Sequence, residues 1–424
     1  MHPHNTWKKQ RSLLSLCLLA TGAAAQPAYT VQDLGTLGGF ESLARSINNF
    51  GQAAGRSLDS DGLPHAFRTA PSRPISANND NLGSLGGPGS SGFSINIFGQ
   101  VVGTGATPQL AAQHAFRTGA NLPINPATDD LGVLSGSTES FALDINNAGQ
   151  VAGYSVVDGN SRAFRTAANQ PINPDTDDLG TPLGGDDYRA TGINNLGHVA
   201  GSFTVDETGH AFLQRDGVMT EIAVQGTGPQ AVAGINDLGQ IALTINSRPF
   251  IWKDGQLTDL GAPSGMVSLP HAINITGQVI GEVFGGSAFL YRSGVMHQLN
   301  DLIPPQSGWV LDVAYGINDL GQIVGYGRMP GNSQQRAFRL DPSAWTVVSN
   351  MISAVEVFNL DTNLAGSLTS SLNSILTSIE QGRNAARNQL NTLQRTINDE
   401  AGGNLSNEQA ELLSSMVALA TRQL

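Results

Sequence analysis

The chain has 424 residues and a formal charge of -12, with 40% hydrophobic, 6% aromatic and only 13% charged residues, 51 glycines and one cysteine. So few charges exclude a disordered acidic chain and a coiled coil over most of the length. The acidic balance, with no basic block, excludes nucleic acid as the main partner.

Residues 1–25 read as a secretory signal peptide. Lys8, Lys9 and Arg11 form a positive start, Ser12–Ala20 is a short leucine-rich run, and Ala23, Ala24 and Ala25 supply small residues for cleavage before Gln26. The apolar run is too short to span a bilayer as a helix. Cys17 follows Leu16, where a lipid-attachment site would place a small residue. Cleavage would remove the only cysteine, so no disulfide would hold the mature chain in an oxidising compartment. No later apolar run of about 18 residues predicts a membrane span.

Residues 26–350 are organised by repetition. The anchor Ile-Asn-Asn-x-Gly-Gln, or a close variant, starts at Ile47, Ile95, Ile145, Ile193, Ile235, Ile273 and Ile317, with spacings of 48, 50, 48, 42, 38 and 44. A short apolar segment such as Val101-Val102-Gly103 follows each anchor. Next comes His-Ala-Phe-Arg, complete at His65–Arg68 and His114–Arg117 and varied at Arg162–Arg165, His210–Phe212, Ser287–Phe289 and Arg336–Arg339. The unit closes with Asp-Leu-Gly-x-Leu-Gly-Gly, as at Asp33–Gly39.

Each unit reads as four short strands. The first ends at the anchor Ile, and the Asn and Gly of the anchor make a turn. The second is the Val/Ala/Gly run, the third carries Ala-Phe, and the fourth carries Asp-Leu-Gly. Four strands in a period of about 40–50 residues mark a propeller blade. The expected fold is therefore mainly β: a seven-unit β-propeller of four-stranded blades, with the repeated Phe as the wedge between blades. Two segments compete to complete the last blade, Tyr29–Gly39 and Ala344–Val348.

The alternation of Ile-Asn-Asn-x-Gly-Gln-Val-x-Gly, His-Ala-Phe and Asp-Leu-Gly-Thr-Leu-Gly-Gly over about residues 30–340 resembles the HAF repeat of exported bacterial proteins. The resemblance implies an exported repeat protein and no reaction. Such proteins often end in a sorting tail with a membrane span and basic residues, which this chain lacks.

Residues 351–424 read as a helical segment of two helices. Leu372, Ile379, Ala386 and Leu393 recur every seven residues on an apolar stripe over Asp361–Glu400, weakened at Gly382. Ser406 with Gln409 is a capping box for the second helix. The stripe suits a hairpin folded on itself or docked on the propeller, and alternatively an oligomerisation stalk.

No catalytic, cofactor-binding or metal-ligating set emerges, so the chain reads as a non-enzyme. The mature chain's histidines are His65, His114, His198, His210, His271 and His297, without zinc spacing. The three in His-Ala-Phe alternate with Arg, Pro or Ser between units, as exposed strand positions do. The acidic clusters Asp59–Asp61, Asp129–Asp130, Asp175–Asp178 and Asp186–Asp187 read as solvated turns, with calcium as the weaker alternative and Asp177 and Asp178 as its first ligands. Function is sought where units depart from one another, at Tyr188, Arg189, Trp252, Trp309 and Tyr315.

The expectation is an exported, non-catalytic binding or scaffold module, extracellular or periplasmic, with polysaccharide or an envelope protein as partner. The alternatives are an extracellular propeller enzyme of the polysaccharide lyase or glycosidase type, using loop carboxylates and Arg189, and a structural envelope protein oligomerising through its tail.

Overall fold

The structure, a computed structural model, describes residues 27–108, 112–222, 230–331, 333–382 and 384–424. The expected signal peptide lies outside them.

Seven antiparallel sheets follow one another along the chain, and their strands pair in sequence order. The first strand of each sheet ends at an anchor Ile: Gly38–Ile47, Ser90–Ile95, Ser137–Ile145, Asp186–Ile193, Gln230–Ile235, Ser268–Ile273 and Val310–Ile317. These first strands touch one another all the way round, and the seventh touches the first. They are therefore the innermost strands of a closed seven-bladed propeller. Five blades have four strands. In blades one and three the fourth strand shrinks to a single bridge, Phe67 to Asn81 and Phe164 to Asp178.

Tyr29–Gly35 pairs with Gln335–Pro342 as the outermost strand of blade seven, so the start of the described chain closes the ring. The rival segment, Ala344–Val348, is helical instead. Ser343 caps that helix, and its N–H donates to the Ala28 carbonyl at 2.8 Å. The strand that closes the ring and the helix that leaves it are thus fastened at one point.

Each gap between blades holds its own apolar cluster. Between blades one and two it includes Ala66, Leu82, Ile95, Val101 and Phe116. The wedge Phe is almost wholly buried in six blades, at Phe67, Phe116, Phe164, Phe212, Phe289 and Phe338. Full burial of such a side chain stabilises by about 1.5–3 kcal/mol, so the stacking of blades is a large part of the fold's stability. The Gly that ends Val-x-Gly is required by the same packing. A Cβ at Gly153 would collide with the Phe141 carbonyl and reach 2.9 Å from the Phe164 ring.

Four helices follow the propeller, two more than expected: α1 (Ala344–Val357), α2 (Thr362–Glu380), α3 (Ala385–Glu400) and α4 (Asn407–Gln423). The long stripe is cut in two because Gly382 takes a φ of 61°, which ends α2. Its two halves fold back, so Leu368, Leu372, Leu390 and Leu393 share one core with Met351 and Met416. The capping box at Ser406 and Gln409 is present. Leu320, from the anchor turn of blade seven, packs into this core, and Gln278 of blade six donates to Asn350 of α1 at 2.9 Å. The bundle therefore sits on the propeller face that carries the anchor turns.

Asn146 holds its own turn and grips the next blade, as described below. Asn146→Ala is expected to cost on the order of 2–4 kcal/mol, because it leaves several buried partners unpaired. Urea unfolding followed by tryptophan fluorescence would measure it. A loss below about 1 kcal/mol would show that the Asn is not a structural tie.

Candidate functional site

The anchor Asn carries two duties. In blade one its Oδ1 accepts from the N–H groups of Phe50 and Gln52, at 3.1 and 3.0 Å, which shapes the turn. Its Nδ2 donates to Gln52 Oε1 at 2.9 Å and to the main-chain carbonyl of Asn96 in the next blade at 3.0 Å. The same inter-blade bond recurs from Asn96, Asn146, Asn194, Asn236, Asn274 and Asn318, the last returning to Asn48. Seven bonds of 2.8–3.2 Å thus form a closed loop. All seven Asn side chains are buried, and in six of them both Nδ2 hydrogens are used, the second by the anchor Gln; in blade four His198 replaces that Gln and Asn194 makes the inter-blade bond alone.

A second, outer set of bonds joins the residues after these Asn. The N–H of Asn147 donates to Asn195 Oδ1, that of Asn195 to Asp237 Oδ1, and that of Asp319 to Asn49 Oδ1. The set breaks where Ile97 and Ile275 offer no acceptor. These residues, with the anchor Ile and Asn of each blade, line a cavity of about 190 Å³.

Two carboxyls near this cavity are perturbed. Burial pushes Asp144 up to about 6, against hydrogen bonds from Ile193 N–H, Ser94 Oγ and Ile145 N–H that favour its charge, and the charge of Asp237 adds to the rise. Asp319 is raised for the same first reason, with Asn49 and the Ile275 N–H opposing and Asp237 adding.

Two residues before each anchor Ile, every inner strand carries a β-bulge. Ala44 pairs with Gly55 and Ser46 with Ala54, leaving Arg45 unpaired, and the same slip recurs in all seven blades. The seven bulge residues are Arg45, Phe93, Leu143, Thr191, Ala233, His271 and Tyr315. A bulge re-aims its side chain. All seven are partly exposed, whereas the residues before them, such as Ala44 and Ala142, are buried between blades. Arg45 reaches the bulge residues of both neighbouring blades, with its guanidinium 5.0 Å from the Phe93 ring centre and 5.1 Å from that of Tyr315. Blades converge only at the axis, so this collar lines the channel. The anchors on either side repeat, whereas the collar varies from blade to blade.

The rest of the collar's charged sector is tied up. His271 Nε2 lies 3.3 Å from Glu282 Oε1, and its ring centre lies 4.9 Å from that of Tyr315. Arg56 pairs with Glu41 at 2.7 Å. Burial raises Tyr315 and Tyr326, and the Arg45 charge pulls both back.

Of the departures named from sequence, only Tyr315 belongs to the collar. Tyr188 is fully buried, and its hydroxyl donates to the Gly184 carbonyl. Arg189 donates to Ser161 Oγ and covers the Tyr154 ring at 4.9 Å. Trp252 packs in the cluster between blades four and five, and Trp309 meets Phe338 edge-on. Sequence reasoning missed Arg45, Phe93 and His271 as a set. The signal was available as the position two before each anchor, which changes in every unit.

The His of His-Ala-Phe is an ion-pair position. His114 pairs with Asp130, Arg162 with Asp178, His210 with Glu221, Arg248 with Asp259 and Arg336 with Asp33, each across the third and fourth strands. That explains why His and Arg alternate there. The acidic pairs are turn caps. Asp177 accepts from Asn173 N–H and Thr176 Oγ1, and Asp178 accepts from Gly180 N–H and Arg162. Asp129 and Asp130 repeat this pattern one blade earlier. Among the described residues, no group of three or more His, Cys, Asp or Glu is placed to hold a metal ion.

No family model matches the chain, and no curated protein matches it. Among solved structures, YCF48 bound to D1 peptide matches with a TM-score of 0.44 at 11% identity, over 75% of this chain and 96% of that one. A Mycobacterium tuberculosis puromycin-hydrolyzing peptidase matches with a TM-score of 0.44 at 12% identity, over 75% of this chain and 55% of its own. An Aleuria aurantia lectin in complex with Fucalpha1-6GlcNAc matches with a TM-score of 0.33 at 13% identity, over 72% and 93%. At these values the likeness bears on neither ligand nor reaction.

Asp144 gives a pH signature. Its folded-state value, about 6, lies above the ordinary 3.8, so the folded chain binds the proton more tightly than the unfolded one. Its contribution to stability therefore grows as pH falls through 6 and levels off below about 4. Between pH 7.5 and 5, wild type is expected to gain stability relative to Asp144→Asn in paired denaturant titrations. Parallel pH profiles would mean that Asp144 does not titrate in this window.

Proposed function

We propose that the chain is an exported, non-catalytic binding module of the HAF-repeat kind, working at or outside the cell envelope and reading its ligand at the channel collar. One observation carries this reading. Seven bulges deliver one variable side chain per blade to a common axis, while the repeated polar groups around them are satisfied by turns and inter-blade bonds. A binding surface needs that combination of rigid frame and variable display. Export is supported by the charged, apolar and small-residue succession of residues 1–25. The ligand class favoured is polysaccharide or an envelope component, because the charged sector offers phenol, imidazole and guanidinium groups beside an aromatic face.

A second reading is favoured by one feature. The His271–Glu282 pair stands beside Tyr315 and Arg45, which is the company an elimination reaction would use to remove a proton next to a stabilised carboxylate.

One experiment separates the two. The purified protein is mixed with polysaccharides and envelope fractions, and both retention of protein and release of soluble fragments are recorded. Retention without release is the expected result. Steady fragment release that His271→Ala abolishes would replace the binding reading with the enzymatic one. Export is checked by intact mass: the mature protein should begin at Gln26 in periplasm or medium. Full-length protein confined to the cytoplasm would refute it.

A further inference from the structure

We infer that the Arg45 sector of the channel collar is a binding site for a carboxylate carried on a hydroxylated ring, the chemistry of a uronic acid unit in an acidic saccharide. The inference rests on the binding reading above and assigns that site its ligand class.

The argument starts from a cation without a partner. Arg45 sits on the bulge of the first blade's inner strand and is only partly exposed. Among the described residues, no carboxylate lies within ion-pair distance of it, and its side chain donates no hydrogen bond. Its Nε is buried with no acceptor. Burial works against its charge first, the Arg56 cation adds to that, and only the Tyr315 and Tyr326 phenols favour it. In a chain with 34 acidic and 22 basic residues, an unpaired half-buried guanidinium is not explained by the fold. Two arginines on the inner two strands of their blades are by contrast occupied: Arg56 holds Glu41, and Arg189 holds Ser161.

This guanidinium sits over two rings. Phe93 from blade two and Tyr315 from blade seven flank it at 5.0 and 5.1 Å. A guanidinium in this position has no acceptor in the frame for its N–H donors, and such donors form a planar fork that matches a carboxylate two-to-two. The surroundings then choose among carboxylates. Tyr315, Tyr326, His271 and Glu282 stand on the same side of the channel. Donors and acceptors of this kind suit a body covered with hydroxyls, and Glu282, engaged by His271, is an acceptor for a hydroxyl rather than a site for a second anion.

The test is calorimetric titration of the full mature chain with tri- and tetrasaccharides of galacturonic or glucuronic acid, their neutral galactose and glucose counterparts, and one peptide with a free or amidated C-terminus. Acidic saccharides should bind at least tenfold more tightly than neutral ones, and more weakly as salt rises. Arg45→Gln should lose tenfold or more, and Arg45→Lys should fall between, because an ammonium keeps the charge without the fork. Arg45→Gln breaks no ion pair and loses only two ring contacts, so its Tm should stay within a few degrees of wild type and its loss of binding is not a loss of fold. Acidic saccharide binding unchanged in Arg45→Gln would overturn the inference and leave the binding module standing. Preference for the free peptide C-terminus alone would overturn the saccharide assignment. Retention on no polysaccharide or envelope fraction would remove both readings.

Discussion

A single side-chain amide, repeated seven times, holds the molecule together. A propeller must solve two problems at its axis: turn each inner strand outward, and keep neighbouring blades from sliding. The anchor Asn does both, because an amide offers acceptor and donor atoms on opposite sides. Oδ1 folds its own turn, and Nδ2 takes the carbonyl of the next blade. Aspartate could do only the first task. Alanine could do neither.

Once that loop is closed, the rest of the motif follows as consequences of blade stacking. The Arg of His-Ala-Phe-Arg reaches across to the next anchor: Arg68 donates to the Gly99 carbonyl, Arg117 to Gly149 and Arg165 to Gly197. The Ala N–H of the same motif donates to a serine on the following inner strand, as Ala66 does to Ser90 and Ala115 to Ser140. The Asp of Asp-Leu-Gly caps its own turn and meets the His or Arg beside it. Conventional binding roles could be imagined for each of these polar residues. In this protein each is spent inside the frame.

The blade count, the strand order and the wedge Phe were legible in sequence because repetition amplifies weak signals: one Ile-Asn-Asn is a turn, and seven are an architecture. Three things were not legible, for definite reasons. Ring closure pairs Tyr29–Gly35 with Gln335–Pro342, about three hundred residues apart, and no local pattern distinguishes that partner from Ala344–Val348. The helical stripe at Leu372–Leu393 keeps its seven-residue phase across Gly382, so periodicity alone reads one helix where a positive φ makes two. The collar was hidden by its own nature. The anchors align residues as unlike as Arg45, Ala233 and Tyr315 at one position, but a bulge leaves no mark in composition, so that this position leaves the ladder is seen only in the strand register.

That register also explains why the collar can vary at all. The bulge lifts one residue per blade out of the ladder, so its side chain is excused from blade packing. Its neighbours remain bound by that packing: the residue before it lies between blades, and in six blades the residue opposite is a Gly that stays bare to admit the inner-strand carbonyl, Leu243 being the exception. Substitution at the bulge therefore changes what the channel presents while leaving the frame's bonds in place. The Arg45 sector is an extreme case of this freedom. A guanidinium over Phe93 and Tyr315 touches blades two and seven through ring faces alone, and among the described residues no carboxylate answers it. Its side chain takes no part in the frame's hydrogen bonds, so it belongs to the variable display and not to the scaffold.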